Sequence, residues 1–249
     1  MGLSAAACGG GGAQQAASDV SIVGGERVTS TDVLTKSTVA LVTPYGDQFC
    51  TGTLIGAKTV LTATHCLADY SYSQLYIAFG TVARNGSFAS SRLRKAASWK
   101  THASYSETEM NRSAALAPPF DIALVKLEGA APSAYRAVPL LRSGDAVQVG
   151  ETLTLAGYGR TRYDRQDGGV LYKVETSLTA VDATAKEIHF GGHPGKSACM
   201  GDSGGPAYVV RNGQLALLGV TSRGSSVCDE EGIYTDVRAY GAWIAAAMR

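Results

Sequence analysis

From Ile22 onward, apolar residues fall in short runs separated by turn-forming clusters. Several runs are rich in β-branched residues, a pattern that predicts strands rather than helices. In the first half these are Val39–Val42, Thr53–Ile55, Val60–Ala63, Leu75–Phe79 and Ile122–Leu127. In the second half they are Thr152–Ala156, Val170–Leu178, Glu187–Phe190, Ala207–Val210, Leu215–Thr221 and Gly232–Val237. Tyr45-Gly46-Asp47, Asn85-Gly86 and Asn212-Gly213 read as turns between them. The last pair, between Tyr208–Arg211 and Gln214–Gly219, predicts a two-residue hairpin loop. Only Arg238–Met248 has helical composition, with Tyr240, Trp243, Ile244 and Ala247 at helical spacing. The expected class is all-β, as two barrels or sandwiches joined across Gly129–Pro139, with a short C-terminal helix.

Composition narrows this picture. The chain's 249 residues fit one large all-β domain or two of ordinary size. Thirty glycines favour a turn-rich β protein. Lys and Arg number 22 against 21 Asp and Glu, a formal charge of +1, which argues against a protein that coats nucleic acid or anionic membrane. No run approaches the roughly 18 apolar residues of a spanning helix.

Residues 1–21 carry almost no large side chains and read as a flexible leader. Ala5-Ala6-Ala7-Cys8-Gly9 has small residues before a cysteine, as at the end of a bacterial lipoprotein signal, with Cys8 as the lipid acceptor. The usual Leu three places before that cysteine is replaced by Ala5, and no basic, apolar region precedes it. A low-complexity linker is the alternative. The remaining cysteines, Cys50, Cys66, Cys199 and Cys228, suit two bridges in an oxidising compartment. None lies in a C-x-x-C pair, so zinc binding is disfavoured.

Candidate chemistry centres on Gly201-Asp202-Ser203-Gly204-Gly205-Pro206. Three glycines around one serine imply a tight turn that presents Ser203 and can aim backbone N–H groups at one point, as a developing oxyanion requires. A serine nucleophile needs a base, and the base an orienting partner. Of four histidines, His65 ends an apolar strand beside Cys66, whereas His102, His189 and His193 lack such a frame. Asp121 heads the apolar strand Ile122-Ala123-Leu124-Val125, where a carboxylate is costly without a partner.

Four motifs occur in order: Ile22-Val23-Gly24-Gly25, Thr62-Ala63-Thr64-His65-Cys66, Asp121-Ile122-Ala123-Leu124 and Gly201-Asp202-Ser203-Gly204-Gly205-Pro206. With Tyr234-Thr235-Asp236-Val237 and Trp243-Ile244, they resemble the chymotrypsin and trypsin family of serine proteases from Ile22 to the C-terminus. The resemblance implies two six-stranded antiparallel barrels, spanning 22–130 and 131–249, with the active site between them. It implies His65 as general base and acid, Asp121 as its orienter and Ser203 as nucleophile, with the N–H groups of Gly201 and Ser203 as oxyanion hole. It also implies disulfides Cys50–Cys66 and Cys199–Cys228. The absence of other bridges common in animal members fits a bacterial one.

The resemblance further implies a precursor activated by cleavage after Ser21, freeing Ile22 to pair with Asp202. Ser21 is neither Lys nor Arg, which departs from activators of trypsin-like preference. The pocket-bottom position is Ser197, where Lys/Arg-specific members carry Asp. Gly224 and Gly232 are small walls beside Ser222, so large apolar residues are the expected targets. Two features complicate this. The run Asp229, Glu230, Glu231 could attract a basic side chain, though a solvated loop tip is the simpler reading. Arg223 stands where the family has Trp and would favour an acidic or polar neighbour of the scissile residue. A catalytically dead binding relative, and an esterase on an α/β-hydrolase fold with its reversed triad order, are the rival readings. The expected partners are protein or peptide substrates and proteinaceous inhibitors, with no nucleic acid and no transmembrane segment. No cofactor or metal is expected, and Asp69–Phe79 lacks the character of a calcium loop. The expected form is a monomeric, secreted or extracytoplasmic enzyme.

Overall fold

The β-branched runs of the first half become strands that close on themselves. The computed structural model describes residues 22–249 except 69, 84–85, 113–114, 116, 192–194 and 230. The leader with Cys8, Asp69, Asn85 of the Asn85-Gly86 turn, His193 and Glu230 lie outside the described residues. After the two-residue strand β1 (Glu26–Arg27) come β2 (Thr38–Val42), β3 (Gln48–Gly56), β4 (Thr59–Thr62), β5 (Tyr76–Ala78), β6 (Leu93–Thr101) and β7 (Ala123–Leu127). Strands β2 to β7 form a closed antiparallel barrel in the order β2-β3-β4-β7-β6-β5. Its interior holds Leu41, Leu54, Leu61, Ile77 and Leu124, all but fully buried.

The second barrel comprises β8 (Thr152–Gly157), β9 (Tyr172–Asp182), β10 (Glu187–Gly191), β11 (Pro206–Arg211), β12 (Gln214–Gly224) and β13 (Gly232–Asp236). Its ring runs β9-β10-β13-β12-β11-β8 and closes through β8 and β9, with β1 added on the outside of β9. Between β11 and β12, Asn212 and Gly213 have φ of 51° and 75°, and Arg211 pairs with Gln214. Positive φ at both central residues matches the right-handed twist of a two-residue hairpin, so the turn expected there forms.

Each barrel receives a terminus from beyond its own strands. Ile22 packs in the apolar cluster of the second barrel. At the other end, a 3-10 turn (Val237–Tyr240), capped by the Asp236 side chain, leads into a helix (Gly241–Met248). The buried faces of Tyr240, Ile244 and Ala247 join the first barrel's cluster. The expected crossover also touches both barrels: Val138 N–H donates to Leu54 O at 3.0 Å, and Pro139 O accepts from Leu217 N–H at 2.8 Å. Two fully buried tyrosines of the second barrel dock on the first. The Tyr208 hydroxyl meets Ser37 Oγ and Thr38 Oγ1 at 2.9 and 3.1 Å, and Tyr158 donates to Gly80 O at 2.6 Å. A buried phenol lends its apolar body to packing while its O–H finds a partner, so these contacts both bury area and fix the barrels' relative placement.

Candidate active site

The short segment after β4 carries His65. Thr64 Oγ1 donates to Ile122 O at 2.8 Å, and the next three residues, His65–Leu67, wind one 3-10 turn. The Cys50–Cys66 disulfide ties that turn to β3. Asp121 precedes β7 and is fully buried. Its carboxylate is matched by three donors: His65 N–H to Oδ1 at 3.0 Å, His65 Nδ1 to Oδ2 at 2.8 Å, and Ser222 Oγ to Oδ2 at 2.7 Å. Thr235 Oγ1 donates to the Asp121 carbonyl at 2.9 Å. Facing a carboxylate, Nδ1 carries the proton and leaves Nε2 as the acceptor nitrogen. Burial pulls the His65 imidazole down, but the charge and hydrogen bond of Asp121 outweigh it and hold it above 6.5.

Ser203 lies on the glycine turn across from this pair. Gly201 and Gly204 have φ of 96° and 77°, and a Cβ on Gly204 would fall on Thr62 Oγ1 and Thr51 O. Only glycine lets the turn press this closely on the first barrel. Thr51 N–H donates to Ser203 O at 2.9 Å. The Gly201 carbonyl accepts from Gln48 Nε2 at 2.8 Å and Thr51 Oγ1 at 2.9 Å. The Cys66 sulfur lies 3.8 Å from His65 Nε2 and 3.5 Å from Ser203 O, so the imidazole and the serine turn share one neighbour. The N–H groups of Gly201 and Ser203 meet no acceptor among the described residues.

Beside Ser203 opens a cavity of about 240 Å³ whose lining includes Ser197, Ser222, Gly224 and Gly232, the four expected pocket positions. Among the described residues, no acidic side chain lines it. Cys199–Cys228 braces its rim. Gly232 contributes less space than its lack of a side chain suggests, because a Cβ there would fall on the ring of Phe190.

A family model described as Trypsin matches residues 22–244. The chain belongs to the trypsin family. Trypsin from the bacterium Saccharopolyspora erythraea is 32% identical over 88% of this chain and 94% of its own length. Coagulation factor XII from Sus scrofa is 30% identical over 80% of the chain and 36% of its own length. Chymotrypsin-like elastase family member 1 from Bos taurus is 29% identical over 80% and 78%. The chain is accordingly a serine endopeptidase acting on protein substrates. The first of these relatives supports the expected bacterial origin. Among the described residues, no helix is long and apolar enough to cross a membrane.

In this trypsin-family chain, Asp202 is fully buried and accepts from Gly159 N–H and Cys199 N–H, both at 2.8 Å. Burial raises its carboxyl to about 7, against the lowering effect of those two bonds. Ile22, peptide-bonded to Ser21, is buried with a φ of 47°, a strained value for a β-branched residue. Ser197 N–H donates to Val23 O at 3.2 Å, joining this segment to the pocket wall.

Arg223 departs from the expectation that it meets substrate acids. Its guanidinium makes a forked pair with Glu187, with Nη2 to Oε2 at 2.9 Å, and Nε donates to Arg112 O at 3.1 Å. The charge is thus matched inside the protein. Asp229 accepts from Ser225 Oγ, and Glu231 accepts from Thr179 Oγ1 and lies 3.2 Å from His189 Nδ1. Both acids therefore have partners within the protein. His102 stacks on Phe120, with burial and the charge of Lys186 holding it below 6.5. The sulfurs of Cys50 and Cys66 lie near His65 but are joined to each other, which removes the thiolates a metal would need. Nothing in the residue pattern points to Gln48 or Thr51 as neighbours of the site. An acid heading the short strand run Glu187–Phe190 is the one available signal, and it concerns Glu187 alone.

Proposed function

We propose that Ser203, His65 and Asp121 form the catalytic triad of this endopeptidase. The observation that carries this reading is the buried Asp121 carboxylate bonded to His65 Nδ1, which leaves Nε2 as the basic nitrogen. His65 Nε2 takes the Ser203 Oγ proton as Oγ attacks the scissile carbonyl, then gives it to the leaving amine. Water repeats the sequence on the acyl-enzyme. These roles are those of the family's triad, carried onto these positions. The N–H groups of Gly201 and Ser203 receive the oxyanion; Arg160 N–H holds the carbonyl of the Met200–Gly201 peptide, and Gln48 and Thr51 hold that of the next one, so the turn is braced on both sides of Gly201. A fluorophosphonate probe should label Ser203 in the native protein and fail on Ser203→Ala. Absence of labelling in correctly folded, leader-free protein would favour the binding-relative reading.

The cavity beside Ser203 supports a preference for large apolar residues over Lys or Arg, because Ser197 offers no carboxylate to a substrate cation. Cleavage-site profiling on a peptide library tests this, and dominance of Lys or Arg would reverse it. Activation by cleavage after Ser21 is supported by the buried Asp202, for which a new Ile22 ammonium would supply the counter-charge. N-terminal sequencing of active protein should begin at Ile22. The two disulfides support function outside the reducing cytosol.

A further inference from the structure

The support of Asp121 comes from two strands of the opposite barrel. Ser222 lies on β12 and Thr235 on β13, and their hydroxyls hold the carboxylate and carbonyl of Asp121. Each of these residues adjoins one member of the Arg223–Glu187 pair. Arg223 follows Ser222 in sequence, and Glu187 on β10 is the direct cross-strand partner of Thr235. The β12–β13 register shifts between Thr221 and Arg223, so Ser222 is the extra residue of a bulge. A bulge re-aims side chains and weakens the local ladder, so the strand carrying Ser222 lacks part of the backbone pairing that would hold it. The forked ion pair reaches across β13 from β12 to β10 where that pairing is interrupted. Its side chains are 12% and 2% exposed, and Arg223 Nε adds a tie to Arg112, next to the helix Glu107–Met110.

We infer that Arg223 and Glu187 are positioning residues of this peptidase: their ion pair clamps the bulged strand so that Ser222 and Thr235 hold Asp121 in register with His65. The pair also keeps the region behind Asp121 electrically balanced. Among the described residues, the other ionisable groups around that region include Tyr105, which burial and Asp121 push up to about 12; Tyr240, raised further by burial and by Glu187, Asp121 and Asp236; Asp236, paired with Arg238; Lys186, over the rings of Phe120 and Tyr240; His102, against the same two rings; Arg112, paired with Glu109; and Glu231, beside His189. None of these replaces Glu187 as the counter-charge of Arg223.

The inference rests on the triad reading, so the test carries its own control. Active enzyme from the full chain is compared with Glu187→Gln, Arg223→Met and the double variant Glu187→Met/Arg223→Met, measuring kcat, KM, the pH profile of kcat/KM and fluorophosphonate labelling. Glu187→Gln leaves a guanidinium charge without a counter-charge on the strand that carries Ser222, which disfavours the imidazolium of His65. The acid limb should move to lower pH by about half a unit. Loosening of Asp121 should lower kcat about tenfold with KM within about twofold. Arg223→Met should lower kcat similarly. The double variant, which buries neither charge but lacks the clamp, should restore the acid limb while kcat stays about as low as in the single variants. If Glu187→Gln does not fold, the kcat of the double variant still decides the matter. Raised KM at unchanged kcat in folded Glu187→Gln, or a folded double variant whose kcat returns to that of the parent, would overturn the clamp. If the unsubstituted enzyme is not labelled at Ser203, the triad reading falls and takes the clamp's catalytic role with it. Normal labelling with a parent-like kcat in the double variant overturns the clamp alone.

Discussion

The Ser222 hydroxyl, from the second barrel, donates a 2.7 Å hydrogen bond to Oδ2 of Asp121, the same oxygen that faces His65 Nδ1 from the first barrel. One carboxylate oxygen is therefore shared between the barrels, and the alignment of His65 depends on how they meet. Ser222→Ala removes one of three donors from a fully buried anion. Loss of a hydrogen bond to a charged group costs about 1.5–3 kcal/mol. The expected result is a lower melting temperature together with a kcat reduced by about tenfold or more. With less of its charge engaged by Ser222, Asp121 should favour the imidazolium more strongly and move the acid limb of kcat/KM to higher pH. Thermal unfolding and a pH–rate profile check both, and an unchanged acid limb would mean that Ser222 serves packing alone.

The balance at His65 gives a second outcome. Burial opposes the imidazolium and Asp121 favours it, with Asp121 prevailing. Asp121→Asn leaves only the burial effect, so the histidine should titrate below 6.5, the reverse of the shift expected for Ser222→Ala. Activity should fall on the order of 10⁴-fold, the magnitude characteristic of this family's triad. The stability arithmetic has a fixed sign. Because the folded value lies above 6.5, the His65–Asp121 pair contributes fully below 6.5 and its contribution fades as pH rises through the folded value. The melting temperature of the parent minus that of Asp121→Asn should therefore be larger at pH 6 than at pH 9.

Strands whose apolar, β-branched runs bury one or both faces are readable from the chain. All five residues of β2 are buried, and the matching run is evident. Strand β6 is not, because Leu93–Thr101 includes Arg94, Lys95 and Lys100 and fully buries only Ala96. It exists because β5 and β7 each need a partner to close the barrel. Strand β3 extends to Gln48 for the same reason: its ladder to β2 continues through Cys50 beyond the apolar run. In the site, spacing and strand-end position single out His65 and Asp121, and the fold bonds those two side chains. The pairing of Arg223 with Glu187 is hidden, since it follows from the bulge at Ser222 and from strand order, neither of which local pattern records.

Asp202 predicts a pH response of the uncleaved chain. Its carboxyl is raised from 3.8 to about 7, chiefly by burial. A folded value above the unfolded one means that the native state binds the extra proton. Stability from this group is greatest below about 4, declines as pH rises to about 7, and is flat beyond. The total decline is on the order of 4 kcal/mol. In the uncleaved chain, Asp202→Asn should remove that component, so the stability difference between parent and variant should change between pH 4 and 7 and level off above. If cleavage before Ile22 supplies an ammonium partner, the same comparison on processed protein should lose the slope. Denaturant unfolding of both forms across that range checks it. An identical slope before and after cleavage would argue against pairing of Ile22 with Asp202.

Gly224 and Gly232 both line the cavity beside Ser203, yet they should respond differently to an added methyl group. At Gly232 a Cβ would fall on the Phe190 ring, which is held in a buried edge-to-face pair with Tyr234. Gly232→Ala must displace that ring, and overpacking of this kind costs about 1–3 kcal/mol. It should lower the melting temperature. At Gly224 the atoms nearest to an added methyl are Glu231 O at 3.5 Å and Gly232 Cα at 3.6 Å, ordinary contact distances. Gly224→Ala should leave stability within about 0.5 kcal/mol and instead raise KM for substrates cleaved after Phe or Tyr more than for those cleaved after Leu. Paired melting curves and substrate profiles for the two variants check the contrast. A destabilised Gly224→Ala with unaltered size preference would mean that Gly224 does not bound the space a substrate side chain occupies.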